Sequence, residues 1–179
     1  MLKQIVRNLH RYVLWALMSG VLWAWIFTLI FSAPAKKKVV LYADLPDMDR
    51  TALSIELEEH RPEGIRLVET GLFDGALFDS SAVLRGDLYL IPESKAAEYL
   101  ASFAPIDRAD FPGETFYESD GQAYGILVYD EETGLKTGTD YVFYIPHERC
   151  WLFFNKDSIH TGGQDRAAIE IACHFLTLR

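Results

Sequence analysis

Seven residues in three predicted loops could hold a small polar ligand. They are Asp44, Asp47, Thr70, Gly71, Phe73, Glu93 and Ser94. The set offers carboxylates, a hydroxyl, backbone amides next to a glycine and one aromatic ring, a combination that suits a polar solute. Each loop follows a predicted strand, and ligands of open α/β sheets bind outside the carboxyl ends of the strands. The same residue types are common in turns and helix caps, so a purely structural role is the alternative.

The histidines and cysteines are the possible zinc ligands. They are His147, Cys150, His160, Cys173 and His174. His147 and Cys150 have suitable spacing, but structural zinc sites usually show two closely spaced ligand pairs, and adjacent Cys173 and His174 point to different helix faces. A disulfide between Cys150 and Cys173 is possible in an exported domain, and a free buried thiol is the alternative. We expect no metal and no cofactor.

No pattern in the chain indicates catalysis. The sequence contains neither a nucleophile elbow nor a glycine-rich phosphate-binding pattern. No carboxylate is singled out by an apolar environment. We therefore expect a protein that is not an enzyme and has no catalytic residues. An uncharacterised hydrolase is an alternative, and it would need an ordered nucleophile and base within about 3.2 Å of each other.

Residues 12–33 read YVLWALMSGVLWAWIFTLIFSA and carry no charged side chain. A helix of about 20 apolar residues crosses the roughly 30 Å hydrocarbon core of a bilayer. The run therefore predicts a transmembrane helix or signal anchor in contact with membrane lipid. A cleavable signal peptide is an alternative because Ala33-Pro34-Ala35 has the small-x-small pattern of a cleavage site. A buried core helix is a further alternative.

Charge divides the chain into two regions. Residues 1–11 form a basic flank and residues 34–38 a basic linker, with six basic residues and no acidic one before position 39. All 26 acidic residues lie in 39–179 with the remaining 11 basic ones, so this region carries a formal charge of about −15. Such a charge repels nucleic acid and attracts cationic solutes or simply keeps a domain soluble. Three basic residues flank each side of the apolar run, so charge alone does not fix its orientation.

Residues 39–179 predict one acidic α/β domain. Apolar runs predict strands at 39–43, 65–70 and 87–91, with helices in between, one of them capped by Asp47 or Asp49. A helix is predicted at 95–103, and residues 74–85 form an ambiguous helix. Aromatic and branched residues predict strands at 124–129, 141–145 and 151–155, followed by a last helix with an apolar stripe of Ile169, Ala172, Cys173 and Leu176. Strands joined by helices predict a mainly parallel sheet flanked by helices.

Several short motifs occur in a distinctive order between residues 38 and 157. The run GDLYLIPES (86–94) is followed by EYL (98–100) and APID (104–107), and later by YGI (124–126) and WLFFNK (151–156). This order resembles the first lobe of the extracellular solute-binding proteins of bacterial ABC importers. The resemblance implies a single periplasmic-binding-protein-like lobe, lacking most of the second lobe, in an extracytoplasmic setting.

The resemblance and the apolar run together predict a membrane-anchored, single-pass protein with its soluble domain on the extracytoplasmic face. We expect it to bind a small polar solute and to associate with an ABC-type importer. An importer permease or a second copy of the chain would supply the second wall of the site, since a small-molecule site usually surrounds most of its ligand. The alternative is a ligand-free interaction or regulatory module on the cell surface, derived from such a lobe.

Overall fold

The computed structural model describes residues 2–31, 34–45, 47–75, 86–137, 141, 147–163 and 165–178, with the backbone alone at 2–10, 28–31 and 136. The contacts within the chain separate two compact units, residues 1–34 and residues 35–179. The second unit starts at residue 35, and the acidic domain predicted from the sequence starts at residue 39. The linker residues Ala35–Lys37 form a short 3-10 helix that belongs to the second unit.

The first unit is one helix, α1 (Leu2–Phe31). Its described side chains, from Arg11 to Phe27, are exposed except for half-buried Ile26. The stretch predicted as a membrane span, 12–33, coincides with α1 up to residue 31, and residues 32 and 33 lie outside the described residues. Within the described part of the chain, no helix combines the length and the apolar character needed to cross a membrane.

The second unit is an α/β structure. Its described residues form helices α2 (Arg50–Glu59), α3 (Glu93–Tyr99) and α4 (Ala167–Thr177) and strands β1 (Lys38–Ala43), β2 (Leu67–Leu72), β3 (Leu88–Pro92), β4 (Phe116–Ser119), β5 (Gln122–Asp130), β6 (Leu135–Lys136) and β7 (Cys150–Phe154). The strands form one sheet in the order β2-β1-β3-β7-β5-β4, and β6 pairs with β5. Helices α2 and α4 pack on one face of the sheet and α3 on the other.

The first half of the sheet is parallel, as predicted. Strand β1 lies between β2 and β3, with Val39 opposite Val68 and Leu41 opposite Leu88. Helix α2 starts after Asp49, whose Oδ1 accepts the backbone N–H of Ala52 at 3.0 Å. This cap satisfies one of the N–H groups that a helix start leaves without an internal partner. The predicted strands and this helix are confirmed, with boundaries that shift by one or two residues.

The second half of the sheet is antiparallel, so the prediction of a mainly parallel sheet is wrong and the sheet is mixed. Strand β7 runs antiparallel to both β3 and β5. Strands β4 and β5 form a hairpin whose turn residues, Asp120 and Gly121, have φ angles of 51° and 76°. Positive φ at both turn positions matches the right-handed twist of the two strands. Short hairpins reverse the chain direction, whereas helical crossovers preserve it.

Other predictions are met only in part. The ambiguous helix at 74–85 and the strand at 141–145 fall mostly on residues 76–85 and 142–146, which lie outside the described residues. The predicted helix at 95–103 is α3 followed by a 3-10 turn. Helix α4 is confirmed, but Ile169 and Cys173 of its predicted stripe are only partly buried. The other two stripe residues, Ala172 and Leu176, are buried as predicted, together with Ala168, Ile171 and Phe175.

Two apolar cores lie on the two faces of the sheet. In the wholly buried strand β3, Leu88 and Leu90 face the core beneath α2 and α4, whereas Tyr89 and Ile91 face the core beneath α3. Successive side chains of a strand point to opposite faces, so one strand contributes to both cores. A strand buried on both faces is typical of the middle of an α/β sheet.

Replacing Leu53 by Ala will destabilise the second unit, because Leu53 is fully buried on the face of α2 that packs against the sheet. We expect a loss of about 2–5 kcal/mol in the free energy of unfolding, measured by urea titration of the full chain with circular dichroism. The matched control is Ile55→Ala on the same helix, where the side chain is 56% exposed. Its effect should stay within about 0.5 kcal/mol, and equal losses for the two variants would contradict this packing.

Candidate functional site

The carboxyl ends of four strands meet at one edge of the sheet. Strands β2, β1 and β3 are parallel, and β5 runs in the same direction because β7 is antiparallel to both of its neighbours. The chain passes from β1 to β2 on one side and then returns to β3 on the other side of β1. Such a reversal of strand order is a topological switch point, where open α/β sheets leave a crevice for a ligand. In this sheet the switch point lies between the ends of β1 and β3.

Asp44 and Lys95 form an ion pair at this switch point. Asp44 directly follows β1, and its backbone N–H donates to the carbonyl oxygen of Leu90 in β3 at 2.8 Å. Lys95, in the first turn of α3, places its Nζ 2.5 Å from Oδ2 of Asp44. The Asp44 side chain is 15% exposed and that of Lys95 45% exposed, so solvent reaches the pair. Asp44 is a predicted site residue, whereas Lys95 is not among the predicted ones.

Glu93 and Ser94 lie beside this pair at the start of α3. Both are exposed. The backbone N–H of Glu93 donates to the carbonyl oxygen of Arg149 at 2.8 Å, and that of Ser94 donates to Oε2 of Glu148 at 3.0 Å. These bonds join the start of α3 to the segment that enters β7. The structure therefore brings three predicted residues together with one new residue, and we call Asp44, Glu93, Ser94 and Lys95 the switch-point site.

The other predicted site residues contribute to packing or lie apart. Thr70 donates its hydroxyl to the carbonyl oxygen of Arg50 at 2.6 Å, which ties β2 to the start of α2. Gly71 lies under the ring of Tyr42, where an added Cβ would come within 2.5 Å of Cε1. Phe73 is buried and packs edge-on against aromatic rings in the core beneath α3. Asp47 is exposed. Thr70, Gly71 and Phe73 therefore serve to hold and pack the fold.

A groove of about 570 Å³ opens at the end of β5, next to the switch-point site. It is lined by Thr115, Leu127, Asp130, Thr133, Gly134, Leu135, Arg149 and Trp151. Trp151 is buried, and its indole Nε1–H is without a hydrogen-bond partner among the described residues. An unpaired buried donor of this kind costs free energy. The sequence prediction missed this groove, since none of its lining residues is among the predicted site residues.

Charged groups at the groove are held in place by several bonds. Arg149 lies 3.5 Å from Asp130 and 3.2 Å from Glu132, measured from Nε and Nη2 to the carboxylate oxygens. Burial alone would raise the pKa of Asp130, but hydrogen bonds from the Thr133 hydroxyl and the Glu132 N–H, with the charge of Arg149, hold that pKa below its ordinary value. Asp130 is therefore ionised at neutral pH, and the groove presents a cation and anions side by side.

A buried polar network lies around the amino end of β3. Asp87 accepts the Val40 N–H at 2.8 Å and the Ser158 hydroxyl at 2.5 Å, and burial raises the pKa of its carboxyl. His160 is buried, with Nδ1 3.0 Å from Oδ2 of Asp165 and Nε2 3.1 Å from the Ala35 carbonyl oxygen. Both ring nitrogens therefore face acceptors. Only the imidazolium form carries a proton on each nitrogen, so only this form can donate to both.

This network does not have the arrangement of a nucleophile and its base. The Ser158 hydroxyl donates to Asp87, and both nitrogens of His160 are engaged with other groups. The ring therefore has no free nitrogen to accept a proton from Ser158. Cys150 is buried, and burial raises the pKa of its thiol to about 12, so the thiol is protonated at neutral pH.

The predicted zinc candidates are dispersed. His147 pairs with Glu131, and His160 pairs with Asp165. Cys150 and Cys173 are both free, so the structure contains the free-thiol alternative and not the disulfide. His174 lies beside Glu56 and stacks on His60, two residues that the sequence prediction did not consider as ligands. Comparison of the chain with protein-family models and with curated proteins finds no match.

The bonds of His160 make stability fall at alkaline pH. Burial would lower the pKa of His160, but the hydrogen bonds to Asp165 and Ala35 and the charge of Asp87 raise it above its ordinary value. The stabilisation is thus complete below about pH 6.5, where an unfolded histidine titrates, and is lost as the pH rises through the higher pKa of the folded state. Burial would raise the pKa of Asp165, but the hydrogen bond from His160 lowers it. The stability that this bond provides is therefore lost in acid, as the pH falls through that lowered pKa.

We expect His160→Gln to lower the free energy of unfolding at about pH 6 by roughly 1.5–3 kcal/mol and to flatten its decline toward about pH 9. Urea unfolding of the full chain at several pH values measures both effects. The control is His147→Gln, because that side chain is 78% exposed. It should change stability by no more than about 0.5 kcal/mol. A wild-type stability that rises above about pH 6.5 would exclude the imidazolium form proposed for His160.

Proposed function

We propose that this chain is a membrane-tethered protein with one solute-binding-like lobe, which captures a small polar solute at the switch-point site. The pairing of Asp44 with Lys95 at the switch point between β1 and β3 supports this function most strongly. One group is an acceptor and the other a donor, and both stand where an open α/β sheet leaves room for a ligand. The lobe would lie on the extracytoplasmic face and work with an ABC-type importer.

Asp44 and Lys95 can each bind a solute in place of one another. An ion pair that solvent reaches contributes only about 0–1 kcal/mol to stability, so separating Asp44 from Lys95 costs little. A solute with a donor for Asp44 and an acceptor for Lys95 would replace the pair with two charge-assisted hydrogen bonds. The excess of acidic residues in 39–179 disfavours anions. A neutral or zwitterionic solute fits these requirements best.

The groove at Trp151 would give such a solute more contact area. The hydrogen bond from Glu93 to Arg149 places the start of α3 next to the residue that lines the groove. A volume of about 570 Å³ lies within the usual range of small-molecule sites, roughly 300–1,000 Å³. Leu127 and Trp151 supply apolar surface there, and Thr133 supplies a hydroxyl. A second wall would come from an importer permease or from another copy of the chain.

The proposed tether rests on the sequence. Residues 12–33 contain no charged side chain, and basic residues flank the run on both sides. The apolar side chains from Tyr12 to Phe27 are largely exposed within their own unit, as lipid contact would require. The order of motifs between residues 38 and 157 supports the extracytoplasmic setting and the importer, through its resemblance to solute-binding proteins.

A thermal-shift screen of the full chain in detergent, with EDTA present, tests solute binding. The probes are sugars, amino acids and short peptides, and we expect at least one to raise the melting temperature in a saturable way. Asp44→Asn and Lys95→Met should each weaken that binding about tenfold or more, because a hydrogen bond to a charged group contributes roughly 1.5–3 kcal/mol. Both variants should fold, since they remove a solvent-accessible pair.

The matched control is Lys156→Met. Lys156 follows β7 at the opposite edge of the sheet and donates its Nζ to the Ala101 carbonyl oxygen. The Lys156→Met variant should bind the solute as the wild type does. If no probe shifts the melting temperature, solute capture is wrong and the lobe is an interaction module. Such a module should then co-purify with a membrane protein or with itself.

Cell fractionation tests the tether. Two arginines in the middle of the apolar run, Val21→Arg with Leu22→Arg, should move the chain out of the membrane fraction, since each costs roughly 2.5–3.5 kcal/mol at the centre of a bilayer. Ile55→Arg, on the exposed side of α2, is the control and should leave the chain with the membrane. Wild-type protein recovered in the soluble fraction would refute the tether.

A further inference from the structure

Three possible metal ligands meet at the ends of two helices, away from the switch-point site. Glu56 and His60 are one turn apart on α2 and at its end, and His174 lies in the last turn of α4. One ligand atom from each side chain lies within 4.8 Å of the other two. Because α2 follows the carboxyl end of β1 and leads to the start of β2, its end lies at the opposite edge of the sheet.

Glu56 lies about as far from each histidine nitrogen as two ligand atoms of one tetrahedral zinc ion lie from each other. Oε1 of Glu56 lies 3.6 Å from Nδ1 of His60 and 3.6 Å from Nε2 of His174. With Zn–N and Zn–O bonds of about 2.0–2.1 Å, two ligand atoms of one tetrahedral ion lie roughly 3.3 Å apart. The two measured distances exceed that value by only a few tenths of an ångström. They are also too long for good hydrogen bonds. Nδ1 of His60 instead lies 3.2 Å from the backbone carbonyl oxygen of Glu56, a contact that a bound ion would replace.

A second observation points to a missing ligand at this place. Nε2 of His174 is buried and has no hydrogen-bond partner among the described residues. A buried polar atom without a partner is destabilising, and a bound cation would satisfy it. The nitrogen faces Glu56, so the unsatisfied atom and the carboxylate border the same small space.

Electrostatics favours a cation at this position. The C-terminal end of a helix carries a partial negative charge, which stabilises cations in the last turn. His60 is the C-cap of α2, and His174 lies in the last turn of α4, so two helix ends contribute. The carboxylate of Glu56 adds a full negative charge. Two imidazoles and one carboxylate are ligands that suit zinc better than calcium or magnesium.

We propose that Glu56, His60 and His174 form a zinc site that joins α2 to α4. Three protein ligands leave the fourth tetrahedral position for a water molecule. The His60 and His174 rings are stacked, with centroids 3.9 Å apart and planes at 23°. Nearly parallel rings do not direct two lone pairs at one ion, so the His60 ring, 52% exposed, turns toward the ion while His174 keeps its place between the helices.

Zinc titration of the metal-free full chain tests this site. Zn²⁺ alone should bind with a stoichiometry of one and raise the melting temperature, because an ion that binds only the folded state stabilises it. Co²⁺, used as a spectroscopic substitute, should give the strong visible absorption of a tetrahedral site. Glu56→Gln, His60→Gln and His174→Gln should each weaken Zn²⁺ binding at least tenfold and reduce the Co²⁺ absorption.

The control variant is His147→Gln, which removes an exposed histidine outside this group and should bind Zn²⁺ as the wild type does. His60→Gln is the decisive variant, because an exposed side chain can be replaced without disturbing the fold. Circular dichroism verifies that each variant is folded. The proposal is refuted if the wild type shows no stoichiometric binding, or if folded His60→Gln binds Zn²⁺ with unchanged affinity.

Discussion

Strand β3 is the element on which the rest of the second unit depends. All five of its residues are buried, and it pairs with β1 in parallel and with β7 in antiparallel orientation. It therefore connects the parallel half of the sheet, β2 and β1, with the antiparallel half that begins at β7. Its side chains alternate between the two cores, and full burial of each large apolar side chain contributes roughly 1.5–3 kcal/mol. The switch-point site depends on this strand as well, since the Asp44 N–H donates to Leu90.

Polar bonds fix both ends of β3. At its start, Asp87 is buried, and a buried carboxylate is costly unless hydrogen bonds and a nearby cation compensate for the lost hydration. The Val40 N–H, the Ser158 hydroxyl and the charge of His160 offset part of that cost, although burial still raises the pKa of Asp87. At its far end, Pro92 leads directly into α3, whose first N–H donates to Arg149. The position of the site relative to the sheet is thus set by bonds at both ends of one strand.

The parts of the fold that sequence predicted well have local causes. The apolar run at 39–43 and the capping Asp49 act within a few residues of themselves, so the pattern is sufficient to predict them. The hairpin of β4 and β5 was also readable, because Asp120-Gly121 between two strand-like runs is a strong hairpin signal that the prediction did not use. The direction of β7 could not be predicted from its sequence, since a short apolar run fits a parallel and an antiparallel strand equally well.

The candidate sites were harder to predict for a related reason. Phe73 and Thr70 have types that suit a ligand, yet distant residues use them for packing and for a bond to Arg50. Lys95 reaches Asp44 only because β1 and β3 are neighbours in the sheet. The grouping of Glu56 and His60 with His174 depends on the packing of the last helix beside α2, which no spacing along the chain indicates.

The place of β7 in the sheet has a consequence for how the protein is made. Among the strands that the structure describes, β7 comes last along the chain, yet it lies between β3 and β5. On a ribosome, the earlier strands emerge first and have two inner edges with unpaired backbone groups until residues 150–154 arrive. Contacts between distant parts of a chain form slowly, and exposed strand edges attract other chains. Synthesis of this protein therefore includes an interval in which a chaperone would be most useful, and it ends when the final strand inserts between its two partners.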